Sequence, residues 1–87
     1  MVNEYSIMGK IRKSNMRLKI LELLFEEKTP NDIAKLLDKH QPSISKAIIS
    51  MTKDGLVKCL NPNDASYRYY VITPYGKEIL HKMKKKA

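Results

Sequence analysis

The spacing of apolar residues changes once along this chain of 87 residues, directly after Gly55. Before that glycine, apolar side chains recur every three or four positions, which is the period of amphipathic helices. After it, Leu56 to Leu60 and Tyr67 to Ile72 are rich in β-branched and aromatic residues, and the turn-forming sequence NPNDAS separates them. These two runs predict a two-stranded hairpin. The chain is therefore expected to be mainly helical with one small hairpin.

Capping signals divide the helical part of the sequence into three helices. The first begins near Ser14, and its apolar stripe comprises Met16, Ile20, Leu21, Leu23, Leu24 and Phe25. The second begins at Thr29, which starts a T-x-x-D capping box with Pro30 in the first helical position. Its apolar residues are Ile33, Ala34, Leu36 and Leu37. The third opens at Pro42 and ends at Gly55, and its inner face comprises Ile44, Ile48 and Met51.

The two ends of the chain complete this organisation. Thr73 and Pro74 repeat the start signal, so a final helix is predicted, with the apolar stripe Tyr75, Ile79, Leu80 and Met83. Residues 1–13 carry scattered apolar side chains that fit either a helix face or a loose arm. We expect one domain over residues 1–87, with its core in residues 14–80, an N-terminal arm or helix in 1–13 and a basic end in 81–87.

The charge balance favours a polyanionic partner. Lys and Arg number 17 against 9 Asp and Glu, which gives a net charge of +8. Residues 1–20 and 76–87 each hold five basic and one acidic side chain, so each end supplies half of that net charge. Nucleic acid is the first expectation and an anionic membrane surface the second. A chain this short has little room to enclose a substrate cavity as well as a core.

The single cysteine, Cys59, excludes an intramolecular disulfide and fits a reducing, intracellular setting. We interpret it as a small apolar residue on the inner face of a strand. No apolar run is long enough for a signal peptide or for the ~20 residues of a membrane span. The chain is therefore expected to be cytoplasmic, without a membrane partner.

The order of these elements resembles a winged helix-turn-helix. The segment SNMRLKILELLFEEKTPNDIAKLLDKHQPSISKAIISMTKDGLV is similar to the core of prokaryotic ArsR- and MarR-like transcriptional regulators, whose archaeal members are often this short. RYYVITPYG resembles their wing exit, R-x-Y-x-[LI]-T-x-x-G. This resemblance, over about residues 14–80, implies a three-helix core, a β-wing and a C-terminal helix. It also implies double-stranded DNA binding as a homodimer, through a recognition helix that begins near Gln41.

The third helix and the wing carry the candidate DNA contacts. Short side chains let a helix approach the bases in a major groove about 12 Å wide. On the helix, the positions that match the family motif or share its outer face are Gln41, Ser43, Ser45, Lys46 and Ser50. On the wing, the candidates for minor-groove or phosphate contact are Lys58, Asn61, Asn63 and Arg68. A solvated polar face is the alternative for the helix, and a salt bridge or simple exposure is the alternative for Arg68.

The two ends carry the candidate dimer contact. Five residues there are apolar beyond the expected needs of one small core, namely Tyr5, Ile7, Met8, Ile79 and Met83. The lysines that follow Leu80 either solubilise the end or add phosphate affinity; they are Lys82, Lys84, Lys85 and Lys86.

Catalysis and metal sensing are not expected. The sequence has no Gly-rich phosphate loop, no nucleophile elbow and no paired catalytic carboxylates, so we predict neither an enzyme nor a cofactor. Some ArsR-like proteins sense metals through clustered ligands, whereas Cys59, His40 and His81 lie far apart here. A winged-helix module for protein interaction or assembly is the main alternative to a DNA-binding regulator, and RNA or single-strand binding is the second. The sequence determines neither the operator nor any small-molecule effector.

Overall fold

The computed structural model describes residues 3–64 and 66–85. Its elements, in chain order, are α1 (Glu4–Arg12), α2 (Asn15–Leu23), α3 (Pro30–Leu37), α4 (Gln41–Lys53), β1 (Val57–Cys59), β2 (Tyr70–Ile72) and α5 (Pro74–Lys85). The predicted mainly helical fold with a small hairpin is therefore confirmed. None of the helices within the described ranges has the length and apolar character needed to span a bilayer.

Residues 4–12 form a helix, which decides the question that the sequence left open. The side chain of Asn3 caps this helix by accepting a hydrogen bond from the Ser6 amide at 2.8 Å. Ile7, Met8 and Ile11 are buried on its inner face. An apolar face of this kind stabilises a short helix only when it packs on other elements, and α1 packs on α2 and α5.

The helix starts predicted from capping residues are present. Ser14 accepts a hydrogen bond from the Arg17 amide, and Thr29 and Asp32 form a reciprocal capping box with both bonds at 3.1 Å. The Thr29 amide donates to the Asp32 carboxylate, and this bond to the charged form is the main cause that lowers the pKa of Asp32. A tight turn then joins α3 to α4 through Asp38, which has the left-handed φ of 54°. The pair of helices α3 and α4 therefore forms the helix-turn-helix unit.

Two apolar residues assigned to helix stripes lie at the surface instead. Phe25 is 52% exposed because α2 ends at Leu23, so Phe25 falls beyond the stripe, and the Lys77 ammonium lies 5.5 Å from the centre of its ring. Leu36 is 60% exposed, because α3 turns its buried face, with Ile33 and Ala34, toward the core. The apolar period alone therefore assigned too wide a stripe to each helix.

The hairpin is shorter than predicted and has a further partner. Three antiparallel pairs join β1 to β2, and Cys59 lies opposite Tyr70. On its other edge, Tyr70 exchanges two backbone hydrogen bonds with Lys28, at 3.1 and 2.9 Å, so the segment between α2 and α3 extends the sheet. Tyr70 is buried whereas Tyr69 is 40% exposed, as the alternation of side chains in a strand predicts.

One junction connects α4, the hairpin and α5. Gly55, at a φ of 81°, ends α4 in the left-handed conformation that favours glycine. Thr73 donates its hydroxyl to the Gly55 carbonyl at 2.6 Å and accepts the Gly76 amide at 2.9 Å. Gly76 lies so close to the Leu56 carbonyl that no side chain fits there. The threonine and glycine of the wing-exit motif therefore have a packing role at this junction.

We predict opposite effects of alanine at two glycines. In Gly76→Ala the new methyl group would collide with the Leu56 carbonyl and lie 2.7 Å from Cγ1 of Ile72, so stability should fall by more than about 2 kcal/mol. Gly9→Ala serves as the control, because nothing lies within 4 Å of its added methyl group and alanine favours helix by about 1 kcal/mol. Urea unfolding of both variants tests this. A Gly76→Ala variant as stable as the parent would contradict the described junction.

Candidate nucleic-acid interface

Helix α4 has an exposed face without any acidic residue. Its buried residues are Ile44, Ala47, Ile48 and Met51. The opposite, outward direction is centred on Pro42, Lys46, Ile49 and Lys53, all of them exposed. The nearest acid, Asp54, follows the helix; its side chain is only 6% exposed and lies 3.6 Å from the Lys10 ammonium. The surface of α4 is therefore positively charged along its outward face.

The polar candidates on α4 lie on two different flanks of this face. Gln41 and Ser45 lie on one flank, where Nε2 of Gln41 donates a hydrogen bond to Oγ of Ser45 at 2.8 Å. Ser50 lies on the other flank and accepts a hydrogen bond from Nη1 of Arg17 at 3.2 Å. Ser43 precedes Ser50 by two helical turns and is exposed. The helix thus brings Gln41 and Ser45 together but holds Ser50 against α2.

An open groove separates the Gln41 flank of α4 from the wing. Its volume is about 330 Å³, and its lining residues are Pro30, Gln41, Ser45, Ile49, Ser66, Arg68 and Tyr70. A second groove continues beside it along the start of α3 and the wing, lined by Thr29, Pro30, Asn31, Gln41, Ser66, Tyr67 and Arg68. The fold therefore brings Arg68 to the same concave surface as Gln41 and Ser45.

Asn61 lies inside the wing rather than at a free tip. Its Nδ2 donates to the Tyr67 carbonyl at 2.6 Å, and its Oδ1 accepts the Tyr69 amide at 2.7 Å. Both ends of its amide are thereby engaged, so the structure gives Asn61 a role in holding the loop. Asn63, in contrast, is exposed within the turn, and Lys58 is exposed on β1.

Asp64 organises the part of the wing that presents Arg68. Its carboxylate accepts the amides of Tyr67 and Ser66, at 3.1 and 2.8 Å, and these bonds lower its pKa. The Arg68 Nε donates to the Asp64 carbonyl at 3.0 Å. The arginine is thus positioned by a backbone hydrogen bond and remains exposed to solvent.

Sequence reasoning did not select three exposed residues of this surface. Ile49 is 52% exposed, Tyr67 is 67% exposed, and Asn31 is exposed at the start of α3. The helical period could have identified Ile49, because it falls outside the four- and three-residue spacing that relates Ile44, Ile48 and Met51 on the inner face. Nothing local in the sequence indicates that Asn31 and Tyr67 line the same groove.

The residues expected at a dimer contact divide into two groups. Ile7, Met8 and Ile79 are at most 6% exposed within one chain, which corrects the expectation that they exceed the needs of one core. They fill the space between α1, α5 and α2, so their side chains are not available to a partner. Tyr5 is 85% exposed and Met83 is half-buried.

Two of the C-terminal lysines form ion pairs within the chain. Lys82 lies 2.8 Å from Glu4, a contact that raises the pKa of Lys82, and Lys84 lies 2.6 Å from Glu22. These pairs join α5 to α1 and α2, so part of the positive charge of this end is offset locally. Lys86 and the side chain of Lys85 lie outside the described part of the chain.

Cys59 is half-buried and packs against the core, with its sulfur 3.9 Å from Oδ1 of Asn61. The thiol therefore contacts the base of the wing. Within residues 3–64 and 66–85, no three His, Cys, Asp or Glu side chains are grouped as metal ligands would be.

These elements together define a winged helix-turn-helix: α3 and α4 form the helix-turn-helix and the β1–β2 hairpin forms the wing. No family model matches the sequence, and no curated protein matches it. Solved structures do match, and they are winged-helix transcriptional regulators of the MarR type. The winged-helix fold and the resemblance predicted from the sequence are therefore confirmed.

Three of these structures illustrate the similarity. The adhesin competence repressor AdcR of Streptococcus pyogenes is 28% identical over 92% of this chain and 62% of its own, with a TM-score of 0.71. The transcriptional regulator BldR of Sulfolobus solfataricus is 23% identical over 90% of this chain and 58% of its own, with a TM-score of 0.76. S. aureus MepR, solved as a DNA complex, is 20% identical over 88% of this chain and 68% of its own, with a TM-score of 0.72. The chain thus spans less than two thirds of AdcR and BldR.

We predict that Asn61→Ala loosens the wing. Loss of the amide removes the partner of the Tyr69 N–H, and an exposed hydrogen bond of this kind contributes about 0.5–1.5 kcal/mol. Exchange of the Tyr69 amide with deuterium should therefore accelerate by about two- to tenfold. Asn63→Ala is the matched control, because Asn63 is exposed in the same turn. Equal exchange rates in the two variants would contradict a structural role for Asn61.

Proposed function

We propose that this chain is a transcriptional regulator that binds double-stranded DNA sequence-specifically as a homodimer. In this proposal α4 is the recognition helix in the major groove, and the wing contacts the backbone or the minor groove. The observation that carries the proposal is the acid-free outward face of α4, with Lys46 at its centre, beside a groove whose far side is formed by Arg68. Such a surface matches an anionic duplex in both charge and shape.

The comparisons support this proposal at the level of fold. AdcR is described as a repressor and BldR as a transcriptional regulator, and MepR has been solved with DNA bound. This fold is therefore compatible with binding to a DNA duplex. We also propose that the chain acts by binding and not by catalysis, and that residues 1–87 form one domain.

The polar residues divide into base-reading and phosphate-binding roles. With Nε2 of Gln41 donating to Ser45, Oε1 of Gln41 and the hydroxyl proton of Ser45 remain free to bond base edges. Ser43 is exposed and small, which allows close approach of the backbone. Lys46 and Arg68 carry charges suited to phosphates, and Lys58 and Asn63 are the further wing candidates. Ser50 and Asn61 are proposed to act by positioning Arg17 and the wing loop.

A homodimer follows from the small size of one reading surface. A helix of 13 residues is about 20 Å long and reads only a few base pairs, so two-fold proteins bind two half-sites about 34 Å apart. We propose that the outer surfaces of α1 and α5, with Tyr5 and Met83, form the contact between subunits. These helices pack on each other and on α2, whereas α4 packs on α3 and β1.

A winged-helix module for protein interaction is the alternative function. The specific observation that favours it is apolar exposure on the helix-turn-helix unit, where Leu36 is 60% and Ile49 52% exposed. Charge reversal separates the two functions, because a protein-binding module places no phosphate near Lys46.

We predict that Lys46→Glu weakens binding to every duplex and lowers the salt dependence by about one unit of slope for the lost phosphate contact. Lys77→Glu makes the same change of charge on α5, beside Phe25, and should leave the slope nearly unchanged. Fluorescence anisotropy at several salt concentrations provides the measurement. Duplex binding by Lys46→Glu that equals the parent would favour the protein-interaction alternative.

Base reading is tested with neutral substitutions. Gln41→Ala, Ser43→Ala and Ser45→Ala should each cost about 1–3 kcal/mol on a selected duplex and much less on a scrambled one. Asn63→Ala, on the wing, is the comparison variant and should weaken binding to both duplexes by similar factors, because the wing is proposed to contact the backbone. Unchanged discrimination in all three helix variants would contradict the assignment of α4 as the recognition helix. Binding of single strands in preference to duplexes would instead support the single-strand alternative.

The dimer prediction concerns mass in solution. At micromolar concentration we expect twice the chain mass of 10.1 kDa by light scattering. Tyr5→Glu should shift the mass toward one chain, because it places a charge in the proposed apolar contact. Tyr67→Glu changes an exposed tyrosine of the wing and should leave the dimer intact. A single-chain mass for the parent, unchanged on DNA, would contradict the dimer.

A further inference from the structure

Ile49 is an unusual residue for the outward face of α4. A β-branched side chain loses conformational freedom in a helix, and half of this one is in contact with water. Long charged residues would satisfy both helix propensity and solvation better. It lies opposite the buried Ile44, Ala47, Ile48 and Met51, so it does not belong to the core of the described chain. The exposed half of its side chain is available to a ligand at the groove that Ile49 lines.

The neighbours of Ile49 define what that ligand must offer. One helical turn away on the same surface lie Ser45, Lys46 and Lys53, and Arg68 lies across the groove that Ile49 lines. Thr52, the remaining neighbour, donates its hydroxyl to the Ile48 carbonyl at 2.8 Å. The ligand must thus present an apolar group between anionic groups that the lysines and the arginine can bind.

We infer that Ile49 contacts the 5-methyl group of a thymine in the major groove, and so selects thymine at one position of each half-site. This inference rests on the proposed function. The thymine methyl is the one apolar group that the base edges present in that groove, and phosphates flank it on both strands. Uracil and cytosine present no such methyl group, so an apolar side chain distinguishes thymine from both.

The position of Ile49 along α4 agrees with this role. It follows Ser45 by four residues and Gln41 by eight, so the three side chains form a ridge that faces the groove. Successive members are about 6 Å apart along the axis, at 1.5 Å per residue. Gln41 and Ser45 supply hydrogen bonds at one end of this ridge, and Ile49 supplies an apolar contact at the other.

The test removes the methyl group without altering any hydrogen bond. A preferred duplex is first selected from a random pool with the full chain, and each thymine is then replaced singly by deoxyuridine. For the parent protein, we expect one thymine position in each half-site to be sensitive. A single replacement at that position should weaken binding by about fourfold, the factor for burial of one methyl group. Ile49→Ala should bind the thymine and uracil forms of that site equally.

Two control variants make the result specific. Leu36→Ala removes a similarly exposed apolar side chain from α3, at 60% against 52% for Ile49, and should keep the fourfold preference for thymine. Ile49→Val keeps an apolar, β-branched side chain and should retain part of that preference. Because Ile49 is exposed, none of these changes should alter the thermal unfolding temperature appreciably, which circular dichroism checks.

The outcomes separate this inference from the proposed function. Two results would overturn the role of Ile49 and leave the DNA-binding function in place. In the first, no replacement of thymine by deoxyuridine weakens binding of the parent to the selected duplex. In the second, the parent and Ile49→Ala show the same preference for thymine. Failure to select any duplex over scrambled DNA would overturn the proposed function and this inference with it.

Discussion

The contact between the first turn of α5 and the turn that ends α4 fixes the geometry of the whole molecule. The Leu56 amide donates to Met51 at 2.9 Å, and its carbonyl accepts the Thr73 amide at 3.0 Å. Gly76 packs directly on that carbonyl. Because α4 ends and the hairpin begins within these few residues, the angle between helix and wing is set at one crowded point. Both parts of the proposed interface depend on it.

The wing itself depends on contacts beyond its own two strands. Three residue pairs are too few for a hairpin to be stable alone in water. Tyr70 supplies the missing stability through its burial and its two hydrogen bonds to Lys28, and Asn61 closes the loop beyond it. Arg68 is consequently presented by a supported loop, so its position relative to α4 is defined before any ligand binds.

The distribution of charge in space differs from its distribution along the chain. The ends supply the net charge, but Lys82 and Lys84 are engaged by Glu4 and Glu22. In the middle of the chain, which is neutral overall, Asp32 lies in a capping box and Asp54 in an ion pair with Lys10, whereas the outward face of α4 carries no acid and remains basic. The positive electrostatic field of the proposed interface therefore comes from a few basic residues within a segment whose net charge is zero. This field acts over about one Debye length.

The sequence by itself determined the helix starts, the glycine stop after α4 and the change to a hairpin, because capping, φ preference and apolar period are local properties of the chain. It also selected Gln41, Ser45, Lys46 and Arg68 as candidates, of which Gln41, Lys46 and Arg68 are exposed and Ser45 is partly exposed. Only the tertiary structure decided that Ile7, Met8 and Ile79 belong to one core, that Asn61 holds the wing together, and that Lys28 pairs with Tyr70. Those outcomes depend on which distant segments meet, and no local pattern encodes that. The same reason explains why Ile49, Asn31 and Tyr67 were found only when α3, α4 and the wing were seen to share one groove.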